Sequence, residues 1–146
     1  MLINPDSPMP SDEAVQNSTR TSEPQGRRVL IVDDNVDSAD SLAMLLQLSG
    51  HEAHTAYDGP EGVEAAARLQ PEVVLLDLGL PGLDGCEVCR RIRQEPWASD
   101  ALFIAVTGWG QAADKRRSQE AGFDGHLVKP VDPQALQQMI EGFKRA

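Results

Sequence analysis

From Arg27 onward the chain alternates five short apolar runs with five segments of helical spacing. The runs lie at Val29–Val32, Ala53–Ala56, Val73–Leu76, Leu102–Val106 and His126–Val128. Helical patterns occupy Asp37–Ser49, Gly59–Leu69, Asp84–Gln94, Gln111–Ala121 and Asp132–Lys144. Successive strands separated by helices pair in parallel, because a crossover replaces the tight hairpin. Helices then cover both faces of the sheet, which is why the runs are mostly apolar instead of alternating with polar residues. An α/β fold, a doubly wound parallel sheet, is the expectation. The punctuation agrees: Asp132 and Pro133 supply a cap and a first helical residue. Gly50 supplies a stop for the first helix.

Before Arg27 the pattern is missing. Residues Met1 to about Gly26 are rich in Pro, Ser, Asp, Glu and Asn, so 1–26 is expected to be a disordered arm and 27–146 the folded domain. The fifth helix is read as the end of the chain, leaving no room for an output domain. No apolar run reaches the length of a membrane span and no signal-peptide core is present, so a cytoplasmic protein without a membrane partner is expected. A net charge of −10 disfavours a nucleic-acid surface. Cys86 and Cys89 form a C-x-x-C, but inside the helical stretch DGCEVCRRIR, where packing explains them better than redox chemistry.

In open α/β sheets ligands gather beyond the carboxyl ends of the strands. There the first run delivers Asp33 and Asp34, the third Asp77, the fourth Thr107 and the fifth Lys129. Three carboxylates at one edge repel unless a hard cation sits among them, and Mg²⁺ fits oxygen ligands of this kind. Asp34 and Asp77 are the expected direct ligands, with Asp33 acting through a water and the Gly79 carbonyl as a further ligand. Asp77, alone at its strand end in LLDLGLPG, is the expected nucleophile for an aspartyl phosphate. Lys129 would neutralise a phosphoryl oxygen and Thr107 would donate its hydroxyl. A cis bond between Lys129 and Pro130 would be one way to aim the ammonium inward.

The ordered set VLIVDDN, LLDLGLPGLDG, AVTG and LVKP resembles the receiver domain of two-component response regulators from about Arg28 onward. VTGWGQ and GFDGHLVKPVD are further similar to receivers attached to hybrid histidine kinases. The resemblance implies a flavodoxin-like (βα)5 fold with strand order 2-1-3-4-5 and five helices. It also implies that Asp77 accepts a phosphoryl group from a histidine kinase or a histidine phosphotransfer protein. His126 stands three residues before the lysine, where the family often has a rotating Tyr or Phe, and is the expected switch partner of Thr107. Gly79 offers no side chain to shield the phosphoryl group, whereas Trp109 could cover it. On the first helix, Leu42, Leu45 and Leu46 suffice for a core stripe, leaving Ala43, Met44 and Leu48 for docking the phosphodonor. The strongly polar fourth helix fits a monomer or a weak, phosphorylation-dependent dimer.

The expectation is therefore a stand-alone phosphoacceptor switch that signals by protein contact, with a phosphate sink or shuttle in a relay as the alternative. Two rivals fit less well. A haloacid-dehalogenase-like phosphatase needs D-x-D after its first strand, whereas here the aspartates are adjacent. A pseudo-receiver would not retain Asp77, Thr107 and Lys129 together.

Overall fold

The apolar runs form one parallel sheet in the order β2-β1-β3-β4-β5. The computed structural model describes residues 26–82, 84–108 and 119–143. Its strands are β1 (Arg28–Val32), β2 (Glu52–Ala56), β3 (Val73–Asp77), β4 (Leu102–Thr107) and β5 (Gly125–Val128). Its helices are α1 (Val36–Leu48), α2 (Gly59–Leu69), α3 (Gly85–Arg93) and α4 (Pro133–Gly142), with a 3₁₀ turn at Pro96–Asp100. This is the flavodoxin-like order expected, with the winding reversed between β1 and β3. The expected helix Gln111–Ala121 lies outside the described residues apart from its helical last three, Gln119–Ala121. The arm lies outside them apart from Gly26.

Alternation along each strand feeds two cores. Leu30, Val32, Val74, Leu76, Phe103 and Ala105 pack with Ala65 and Ala66 of α2 and with Val88, Cys89 and Ile92 of α3. Val29, Ile31, Leu75, Ile104 and Val106 pack with Ala39, Ala43 and Leu46 of α1 and with Leu136 and Ile140 of α4. The central strands therefore bury both faces, as their uninterrupted aliphatic sequence requires.

Helix α1 corrects one expectation. Its N-cap is Asn35, whose side-chain oxygen accepts from the Ser38 amide. Its buried face is Ala39, Ala43 and Leu46, with Leu42 partly buried against them. Ala43 is only 6% exposed, so it belongs to the core and not to a docking surface, whereas Leu45 is 42% exposed. Small alanines let the helix axis approach the sheet, and that proximity turns Leu45 outward. Helix α1 ends at Leu48 with Ser49 as cap, and Gly50 adopts φ +96°, a left-handed turn that favours glycine.

Far from the strand tips, the Arg27 amide donates to His51 Nδ1 at 2.9 Å, and His51 Nε2 lies 3.3 Å from Gln137 Oε1. A backbone amide can only donate, so the neutral ring carries its proton on Nε2 and donates to Gln137. The Arg27 guanidinium donates to the Phe143 carbonyl, so one arginine ties the start of β1 to the end of α4.

Cys86 and Cys89 are not joined in a disulfide, and both are buried in the core. Burial pushes the Cys89 thiol up to about 12, outweighing the nearby Arg93 charge. At pH 8 only about one such thiol in ten thousand is ionised, so native protein should react with iodoacetamide at least ~100-fold more slowly than urea-unfolded protein. Comparable rates in the two states would show that the helix opens readily.

Candidate functional site

Register brings the polar residues together. Val32 pairs with Leu76, so Asp33 and Asp77 follow side by side at adjacent strand tips. Asp77 pairs with Val106, placing Thr107 one residue beyond it, and Thr107 pairs with Val128, the residue before Lys129. The Lys129 amide donates to the Thr107 carbonyl at 2.6 Å, extending the β4–β5 ladder to the lysine. The Asp33 amide likewise donates to the Ala56 carbonyl. Asp77 and Thr107 are thus the last residues of their strands, one further than the apolar runs suggested.

One carboxylate oxygen from each of Asp33, Asp34 and Asp77 lies within 4.8 Å of the other two. Asp33 and Asp77 are buried, while Asp34 is exposed. Lys129 Nζ donates to Asp77 Oδ2 at 2.9 Å and lies 3.4 Å from Asp33 Oδ2. The other oxygens are held from the backbone: Asn35 N donates to Asp33 Oδ1 at 2.9 Å, and Gly79 N donates to Asp77 Oδ1 at 2.8 Å. Each Asp77 oxygen therefore accepts one hydrogen bond and keeps acceptor capacity for an ion or a phosphorus atom. The Lys129–Pro130 peptide bond is cis.

Electrostatics follow from this crowding. Burial raises the Asp33 pKa above the ordinary carboxylate value; the Asn35 amide and Lys129 oppose the shift, and the negative charge of Asp77 adds to it. For Lys129 burial is the largest single influence and pulls downward. The hydrogen bond and charge of Asp77, with those of Asp33, together outweigh it and raise the value. The ammonium stays charged beside carboxylates that would otherwise repel one another. Three hard oxygen donors with one face open suit a small divalent ion that keeps several waters, and Mg²⁺ fits that description. Asp33, Asp34 and Asp77 are the residues that would hold it.

Thr107 is buried, and its Oγ1 lies 3.4 Å from His126 Nε2. The two side chains share the sheet face of Ala105, which pairs with His126 and is small enough to leave room for the ring. Gly108 is exposed beside them, whereas Trp109 falls outside the described residues. A groove of about 570 Å³ leads from Asp33 and Lys129 past Ser38, Ser41 and Leu42 of α1 to Val131. On α1 the outward large apolar residues are Val36 at its first turn and, further along, Met44 (61% exposed), Leu45 and Leu48 (79%).

One residue of the site had no signal beyond a turn-forming Asp-Gly pair. Gly85, the first residue of α3, faces the end of β3 so closely that an added Cβ would lie 2.5 Å from the Asp77 carbonyl oxygen and 2.9 Å from Leu78 Cα. Asp84 caps this helix by accepting from the Cys86 amide.

Comparison with known proteins agrees with this geometry. A family model described as the response regulator receiver domain matches residues 29–141. The chain is 34% identical over 118 residues to the DNA-binding dual master transcriptional regulator RpaA of Synechocystis sp., covering 81% of this chain and 49% of RpaA. It thus spans about half the length of the curated relatives it matches. Among solved structures, Vibrio cholerae chemotaxis protein CheY4 superposes with a TM-score of 0.77 at 26% identity, covering 82% of this chain and 99% of that one. A CheY-like receiver domain protein from Methanospirillum hungatei gives 0.74 at 29% identity, covering 80% and 92%.

Proposed function

Because this chain belongs to the response regulator receiver family, we propose that it is a phosphoacceptor switch in a two-component phosphorelay, with Asp77 as the acceptor. The carrying observation is the convergence of Asp33, Asp34, Asp77 and Lys129 at one sheet edge. A carboxylate oxygen of Asp77 attacks the phosphorus of a phosphohistidine on a histidine kinase or histidine phosphotransfer protein. The P–N bond breaks, its electron pair stays on the imidazole, and an acyl phosphate remains on Asp77. Lys129, already 2.9 Å from Asp77 Oδ2, follows the negative charge onto the phosphoryl oxygens. Mg²⁺, when bound, neutralises and orients those oxygens. Thr107 turns its hydroxyl to one of them, and the domain then signals by protein contact in the cytoplasm.

The direct test is incubation with acetyl phosphate. With Mg²⁺ the protein should gain the mass of one phosphoryl group on the peptide containing Asp77, and excess EDTA should prevent the gain. Labelling that survives EDTA, or that maps to another strand, would remove the basis for this assignment.

Docking of the phosphodonor is assigned to the exposed stripe Ser41, Met44, Leu45 and Leu48, beside the groove that opens from Asp33. Met44→Glu should slow transfer from a histidine phosphotransfer protein about tenfold, the effect of losing one well-packed contact. Labelling by acetyl phosphate should not change, since that donor needs no helix face. Equal slowing with both donors would place Met44's role in folding instead.

A further inference from the structure

We propose that the outer edge of β2 is a self-association surface, on which a second copy of this chain adds its own β2 antiparallel, about a two-fold axis at His54. Strand β2 ends the sheet. Glu52 N donates to the Arg27 carbonyl and the Ala56 carbonyl accepts from Asp33 N, so the even-numbered residues of the strand face β1. Peptide groups alternate in direction along a strand, which turns those of Ala53 and Thr55 outward. Among the described residues only Gln47 reaches them, its Nε2 donating to the Ala53 carbonyl at 3.1 Å. That carbonyl keeps a second lone pair. An exposed strand edge of this kind is a template for a further strand.

Symmetry selects the occupant. The two outward residues flank His54, so a two-fold there sets Ala53 of each copy opposite Thr55 of the other, in two hydrogen-bonded pairs. A two-fold at Ala53 or Thr55 would keep only one such pair within the two strands. The side chains in these pairs are small and uncharged. On the other face of the sheet His54 meets His54 of the second copy. His54 Nε2 already lies 2.7 Å from Glu52 Oε2, and Arg28 Nε lies 3.2 Å from the same oxygen. In this register Glu52 stands opposite Ala56 of the second copy and diagonal to its His54. Each imidazole then lies between two carboxylates, and no two carboxylates face each other. The edge therefore accepts a second copy despite the chain's net charge of −10.

Helix α1 adds apolar surface to the same edge. A groove of about 420 Å³ runs beside it, lined by Met44 and Gln47 of α1 with Thr55 and Arg68. Met44 is 61% exposed there. The two-fold stands perpendicular to the sheet, so both α1 helices lie on one face and the entering strand covers Met44. Because Met44 is also assigned to docking the phosphodonor, the paired form is closed to that donor; this consequence alone rests on the phosphoacceptor reading.

The test uses the full chain with single cysteines introduced on β2. Residues directly opposite in a non-hydrogen-bonded pair have Cα atoms about 4.5 Å apart, within disulfide reach. Under mild oxidation with diamide, His54→Cys should give a disulfide-linked dimer well above the wild-type background, since the native cysteines are buried. Thr55→Cys, whose two copies lie about 8 Å apart in this register, should cross-link at least ~10-fold less. Wild-type protein should sediment faster as its concentration rises toward millimolar, and the Ala53 and Thr55 amides should gain hydrogen-exchange protection in step. Thr55→Pro removes an outward N–H that β1 does not use, so it should keep the circular dichroism of the fold and lose that concentration dependence. Equal cross-linking of Thr55→Cys and His54→Cys, wild-type protein that stays monomeric at millimolar concentration, or a dimer that persists in folded Thr55→Pro each overturns the proposal. So does amide protection independent of concentration, the mark of an edge covered from within the chain. The consequence for phosphotransfer is read separately: the oxidised His54→Cys dimer should accept from a histidine phosphotransfer protein at least ~10-fold more slowly than its reduced form, while labelling by acetyl phosphate is unchanged. Equal transfer to both forms overturns the exclusion of the donor. Failure of Asp77 to label with acetyl phosphate overturns the phosphoacceptor reading and leaves the cross-link and sedimentation results to decide the pairing.

Discussion

Asp77→Asn should abolish labelling by acetyl phosphate, a loss of at least ~100-fold that leaves only background. Asparagine nearly matches aspartate in size, and its carbonyl oxygen can still accept from one of the two donors, the Gly79 amide or Lys129, while its amide nitrogen cannot accept from the other. What disappears is the anionic oxygen that attacks phosphorus, because an amide oxygen is a far poorer nucleophile. The fold should survive the change and the thermal midpoint should not fall. Burial with a like charge nearby already raises the Asp33 pKa, and removing the Asp77 charge relieves that strain. Mg²⁺ should bind more weakly, since one of three clustered carboxylates is gone. Mass analysis of the labelled protein and a metal titration check both halves. Persistent labelling would redirect attention to Asp33 or Asp34, the remaining carboxylates at that edge.

Gly85→Ala should damage the site from outside it. The new methyl group would lie 2.5 Å from the Asp77 carbonyl oxygen and 2.9 Å from Leu78 Cα, both backbone atoms that cannot swing away as a side chain could. Relief requires α3 to slide outward or the end of β3 to shift. Sliding α3 disturbs Cys86, Val88 and Ile92 in the core, at a cost of about 1–3 kcal/mol by analogy with other overpacked sites. Shifting β3 moves the Asp77 carboxylate relative to Lys129, and displacements near 1 Å at a reacting centre can cost about 100-fold in rate. We expect a lower denaturation midpoint together with at least ~10-fold slower labelling by acetyl phosphate. An alanine variant as stable and as reactive as wild type would show that helix and strand are packed more loosely than the structure has them.

Much of the fold was legible because its signals are local and repeated. Strand runs such as Val73–Leu76 carry their burial in their own composition, and Asp132-Pro133 marks a helix start without reference to any other segment. Expectation and structure part company where orientation depends on a neighbour. In α1 the periodicity left two ways of turning the helix, and large leucines favoured burying Leu45 with Leu42 and Leu46. The sheet chose the alanine face, because Ala39 and Ala43 permit the closer approach. Likewise Asp37 and Ser38 look like caps, but the chain enters α1 through Asn35, whose amide is already held by Asp33. Capping and site-building share that turn, and the sequence displays only the capping half.

The order of polar residues after apolar runs was enough to single out Asp33, Asp34, Asp77, Thr107 and Lys129, since a parallel sheet carries every strand's exit to the same edge. That inference needs only the strand direction, which the intervening helices dictate. Which oxygen Lys129 reaches, that Thr107 leans on His126, and that Gly85 abuts the backbone of Asp77 are matters of ångströms between segments distant along the chain. Such distances arise from register and close packing. Both are settled by the whole core at once and leave no mark in the local pattern.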